Sequence, residues 1–294
     1  MGRTAPRWFL ALCLLGGLTL RSSDASAASA VWAVRGAHGT VYLAGSIHLL
    51  PANDSTLPGA FERAYADSSR LVMELDLGKL DPQEIAGWMQ QHGTLTGDRS
   101  LRVVLGEPRY AQLSAAALAL GAPMSILDKQ APWVIGVELA ELEYAHLGYD
   151  PAQGVEEQLL ARAQADSKPT GGLETVDQEL GGLEKLPRAD QVRILDQTLS
   201  DLKDTEADMR VVLSAWRRGD AASLAQLLSK EYRKFPALYG PLVTDRNQHW
   251  LPQIEQFLKE DHNTMVVVGA LHLVGPGGLL ELLRQAGYQP QQLN

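Results

Sequence analysis

The chain predicts an α/β fold: a mixed, mostly parallel central sheet flanked by helices, with a helical middle lobe. Three observations lead there. Short apolar runs with strand character alternate with segments of three-and-four apolar spacing. The middle of the chain is almost wholly helical in pattern. Of its 294 residues, 45% are hydrophobic and 21% charged, enough to bury a large core.

Val31-Trp-Ala-Val-Arg35 and Thr40-Val-Tyr-Leu-Ala44, separated by Gly36 to Gly39, read as a hairpin. A helix is expected over about 58–68. Arg70-Leu-Val-Met-Glu-Leu-Asp76 then reads as a buried strand with a carboxylate near its end. Asp81-Pro82-Gln83-Glu84 carries an N-cap, a proline at the first helical position and an acid three residues on, which together open a helix. Helical patterns follow over 107–120, 132–146, 154–165, 187–216 and 219–230, with one strand, 169–174, among them. A helical insertion of about 81–240 is expected. A helix over 241–259, the strand Thr264-Met-Val-Val-Val268, a helix over 275–287 and a last strand within 288–293 complete the reading.

The N-terminus predicts a signal peptide over residues 1–27. Arg3 and Arg7 form its positive region, Trp8 to Leu20 its apolar region, and Ala25-Ser26-Ala27 a cleavage site, leaving a domain over 28–294. Cys13, the only cysteine, would leave with it. The expected location is the bacterial periplasm or the exterior. No membrane span is expected in the mature chain. A net charge of −9 gives no basic footprint for nucleic acid.

One short pattern occurs twice, in the same context: Tyr42-Leu-Ala-Gly45-Ser-Ile-His48-Leu49 and Val267-Val-Gly269-Ala-Leu-His272-Leu273. In each, a glycine lets the strand turn sharply and presents a histidine three residues later at the carboxyl edge, where ligands of such sheets bind. Glu74 interrupts an apolar strand, so its carboxylate needs an ion pair, with Arg246 a candidate, or a metal. Two imidazoles and a carboxylate are a common three-ligand set for a divalent transition metal with open positions for water. His48, Glu74 and His272 are thus the predicted metal and catalytic residues, and Mn, Co or Zn fit the donors. The chemistry expected is hydrolysis of a peptide or small molecule. Arg246 and Asn247 are further candidates, Arg246 to hold a carboxylate or an oxyanion. Glu174 is a second acid/base candidate. Two alternatives stay open: a metal-independent hydrolase with a histidine as general base, and a binder or inhibitor that captures peptide or haem without turnover.

These residues resemble the TraB/PrgY/GumN family, which is similar to the Tiki metalloproteases. The resemblance rests on Val41-Tyr-Leu-Ala-Gly-Ser-Ile-His-Leu49, Leu57-Pro58, Leu71-Val-Met-Glu-Leu-Asp76, Gly148-Tyr-Asp150, Gly172-Leu-Glu-Thr175 with Gln178, Trp216 before Gly219-Asp220, Asp245-Arg-Asn247 and Val268-Gly-Ala-Leu-His-Leu-Val-Gly275. It implies a core like that of erythromycin esterases and ChaN-like haem-binding proteins. In the Tiki branch it implies metal-dependent peptidase activity using the paired Gly-x-x-His motifs and the strand glutamate, here His48, His272 and Glu74. Members of other branches are linked to conjugation and to polysaccharide synthesis, so the resemblance implies no single substrate.

Overall fold

A computed structural model describes residues 28–234 and 236–294; the expected signal peptide lies outside the described residues. Eight strands are present: β1 (Val31–Arg35), β2 (Thr40–Ser46), β3 (Leu50–Pro51), β4 (Arg70–Met73), β5 (Tyr149–Asp150), β6 (Thr170–Gly172), β7 (Thr264–Gly269) and β8 (Gln291–Gln292). Six of them form one sheet in the order β6-β4-β7-β2-β1-β8, while β3 and β5 pair apart from it. β2, β7, β4 and β6 run parallel; β1 pairs antiparallel with both β2 and β8. The fold is therefore the mixed, mostly parallel sheet with flanking helices that the alternating pattern predicts, and it is not a closed barrel.

Hydrophobicity sets this order. Every residue of β7 is buried, and its Met265-Val-Val-Val268 run belongs in the sheet centre with helices on both faces. The hairpin of β1 and β2 forms in the register Val31↔Ala44 to Arg35↔Thr40. Strand β6 is short and glycine-rich, and it sits at one edge of the sheet. The main core lies along the sheet, built from β1, β2, β4 and β7 with Phe61, Tyr65, Trp216 and Trp250.

The helix Pro82–His92 begins as its residues require, with Asp81 accepting from the Gln83 N–H at 2.8 Å. The long pattern over 187–216 divides into Arg188–Asp201 and Thr205–Arg217, joined by a 3₁₀ turn that periodicity alone did not reveal. A second core cluster ties Leu101–Ala119 to Pro132–His146 and Arg188–Asp201. A third, around Trp133, Val134, Leu183, Leu242 and Val243, lies beyond the carboxyl edge of the sheet. Among the described residues, no helix is long and apolar enough to cross a membrane.

Candidate functional site

Four parallel strands end on one edge, and each delivers a polar side chain there. Just past β4 comes Glu74, past β2 His48, past β6 Glu174, and past β7, on a single helical turn Ala270–Leu273, His272. The helix Asp245–Phe257, entered through a π turn over Gly240–Thr244, adds Arg246 and Asn247. All five predicted site residues are thus brought together. Glu174 joins them.

Glycines make the convergence sterically allowed. A Cβ on Gly45 would lie 3.0 Å from the Ala270 Cα, so β2 and the turn after β7 approach closely only because residue 45 has none. The Gly45 carbonyl accepts from the Trp216 indole at 2.6 Å, which ties the first Gly-x-x-His segment to the helix Thr205–Arg217. Gly269 is a cradle. A Cβ there would sit 3.4 Å from both Glu74 Oε1 and His48 Nε2, and 3.6 Å from His272 Cδ2.

Both imidazoles set Nδ1 against a side-chain oxygen, and His48 Nε2 faces the cradle at Gly269. His48 Nδ1 lies 2.6 Å from Glu156 Oε1, an oxygen that also accepts from the Ser46 hydroxyl. Asn247 donates its amide to the carbonyls of His272, at 3.0 Å, and Gly277, at 2.9 Å. Its Oδ1 therefore faces His272 Nδ1, 2.8 Å away, which must carry the proton. His272 Nε2 then accepts from Arg246 Nη1 at 3.1 Å. A ring whose Nδ1 faces a carboxylate or amide oxygen is the arrangement found behind metal-ligating histidines, although here the His272 Nε2 lone pair is taken by Arg246.

Glu74 accepts from the Gly269 N–H at 2.6 Å and from Arg246 Nη2. Arg246 also grips Glu174 through Nε at 3.0 Å and through Nη2, and Glu174 accepts from the Trp250 indole at 3.2 Å. The expected ion pair between Glu74 and Arg246 is therefore present, alongside the histidines and not in place of them.

Charge decides the protonation states. Burial alone would push His48 down, but Glu156, with Glu74 and Glu179 further off, raises it to about 9. His272 goes the other way, to about 3: burial dominates, opposed by Glu74 and reinforced by Arg246 and His48. Burial would raise Glu74, yet Arg246, the two histidines and the Gly269 N–H hold it at about 2. Burial lifts Glu179 to about 8 against the pull of Arg246, with Glu74 and Glu174 adding repulsion.

Two of these residues carried no legible signal in the sequence. Glu156 is an acid in the first turn of Val155–Ala165, an ordinary place for one. Glu179 sits in the first turn of Val176–Glu184, opened by the Thr175/Gln178 capping box, and only tertiary packing turns it inward. Oxygens of Glu74, Glu174 and Glu179 lie within 4.8 Å of one another, a buried group able to hold a metal ion. A divalent transition metal is compatible with the cradle at Gly269, which His48 Nε2 and Glu74 Oε1 face, and with Glu179, whose buried oxygens have no hydrogen-bond donor among the described residues; of the three predicted ligands, only Glu74 falls in that 4.8 Å group.

Above this polar floor opens a cleft with apolar walls, among them Met89, Trp133, Val137, Tyr232 and Leu271.

Comparison with known proteins places this chain in a lineage. The "Uncharacterized protein YbaP" of Escherichia coli (strain K12) is 25% identical over 243 residues, covering 83% of this chain and 87% of that protein. A second relative, an "Uncharacterized protein" of Treponema pallidum (strain Nichols), is 26% identical over 275 residues, covering 86% of this chain and 80% of that one. No solved structure matches the chain. The TraB/PrgY/gumN family model matches residues 30–292, and the chain belongs to that family.

Proposed function

We propose that the chain is an exported metal-dependent hydrolase, with a peptide as its preferred class of substrate. The observation that carries this reading is the pair of Gly-x-x-His imidazoles, gathered with Glu74 around Gly269 and each with Nδ1 against a side-chain oxygen. His48, Glu74 and His272 would hold the metal, with Mn, Co and Zn all compatible with mixed nitrogen and oxygen donors. Bound there, such an ion supplies an acidified water and polarises a carbonyl. The chain's own groups do the rest. Glu156 and Asn247 fix the two rings. Arg246 balances the carboxylates at the cleft floor and holds Glu74 and Glu174 in place. The apolar walls exclude water and seat the substrate's apolar groups. The export step rests on the N-terminal segment of the sequence.

A second reading, a hydrolase without metal, is favoured by one observation: Arg246 already donates to His272 Nε2, leaving the pair of His48 and Glu156 as a ready acid/base dyad. Metal analysis of the purified protein and cleavage of a peptide library, with wild type, Glu74→Gln and His48→Ala, test both. The first reading expects one bound divalent metal and cleavage that stops on chelation and in both variants. Cleavage that survives chelation selects the second. Binding without cleavage in every preparation overturns both in favour of a capture protein.

A further inference from the structure

Glu179 lies on the cleft floor, 5% exposed, and among the described residues neither of its carboxylate oxygens meets a hydrogen-bond donor. The nearest cation beside it among the described residues is Arg246, whose Nη2 stays 3.9 Å away, with His48 further off. That guanidinium has nothing left to give. Its Nε–H goes to Glu174, its two Nη1 hydrogens to the Leu242 carbonyl and His272 Nε2, and its two Nη2 hydrogens to Glu74 and Glu174. Glu174, in the same acidic group, is by contrast fully engaged by Arg246 and Trp250. Buried carboxylates without donors are avoided unless they are paired or coordinate a metal.

We infer that Glu179 is a ligand of the divalent cation, an oxygen donor added to the pair of imidazoles and Glu74. The inference rests on the metal-dependent reading above. It makes the floor of the cleft a mixed nitrogen and oxygen site, the kind that takes Mn²⁺, Co²⁺ or Zn²⁺. Glu174 lies within the same 4.8 Å group but is the less available, because each of its oxygens takes two donors from the guanidinium and the indole, against one for each oxygen of Glu74.

The test is titration of the metal-free, full mature protein with MnCl₂, CoCl₂ and ZnCl₂ by calorimetry, alongside the visible spectrum of the Co²⁺ form. Glu179→Gln is expected to bind at least tenfold more weakly than wild type and to alter the Co²⁺ spectrum. Glu174→Gln is expected to lose less affinity and leave the spectrum unchanged. Wild-type affinity in Glu179→Gln overturns the inference, as do equal losses in both variants, which mark a through-space charge effect. If Glu179→Gln does not fold, Glu179→Asp carries the comparison: weakened binding supports ligation and wild-type binding overturns it. If wild type itself takes up none of the three ions, the metal-dependent reading falls too, which separates the two failures.

Discussion

His48 owes its charge to a neighbour that sequence reading passed over. Because Glu156 raises the imidazole to about 9, above its ordinary 6.5, the folded state holds that proton more tightly than the unfolded chain. The resulting stabilisation is fully present below about pH 6.5 and is lost as pH rises through about 9. Glu156→Gln should lower the His48 titration midpoint seen by NMR, and the stability gap to wild type should be wider at pH 6 than at pH 10. An unmoved midpoint would show that Glu156 does not control the ring. Gly269→Ala makes a different test. Its Cβ meets only ordinary van der Waals distances, and residue 269 has a φ of −49°, so stability should change by no more than about 0.5 kcal/mol. The cradle between Glu74 and His48 is filled, however, and metal uptake and turnover should fall at least tenfold. Normal uptake in this variant would move the centre elsewhere.

At the scale of elements, the helix Pro132–His146 carries a cost unrelated to the cleft. Burial, with repulsion from Glu138, lifts the Glu141 carboxyl to about 8, and one of its oxygens has no hydrogen-bond donor. The folded state thus binds this proton more tightly than the unfolded chain, so stability drains as pH climbs from about 4.5 through about 8. Glu141→Gln should leave denaturation at pH 4 unchanged and stabilise the protein on the order of a few kcal/mol at pH 8. A pH-independent effect would refute this account. Such a cost was invisible in the sequence, where Glu138 and Glu141 are two acids in a segment read only as a helix over 132–146. Strands β2, β4 and β7 were legible, since continuous apolar runs ending in Gly or Glu suit only a sheet centre. The break between Arg188–Asp201 and Thr205–Arg217 was not, because apolar spacing continues across it.

On the scale of the whole molecule, the helical lobe and the sheet meet at Trp216, whose indole is buried and donates to the Gly45 carbonyl at 2.6 Å while the ring packs 5.7 Å from Phe61. Trp216→Phe leaves that carbonyl unpaired and opens a small void, costing about 2 kcal/mol or more in chemical denaturation. It should also loosen His48 and reduce turnover beyond the loss of stability. Unchanged stability would mean that the lobe is not anchored there. By itself the sequence determined the α/β class, the strands at the sheet centre, and the candidates His48, Glu74, Arg246, Asn247 and His272. His48, His272 and Glu74 are announced locally, by a repeated motif with a glycine at a strand end or by a charge in an apolar run, while Arg246 and Asn247 were candidates from their place near a helix start and from the resemblance. Only the tertiary structure decided that Glu156 and Asn247 fix the imidazoles, that Arg246 is shared between Glu74 and Glu174, and that Glu179 is left facing the cleft without a donor. The physical reason is that a helical acid looks the same in sequence whether it meets water or a buried site. Its role depends on which elements, more than a hundred residues apart in the chain, pack against it.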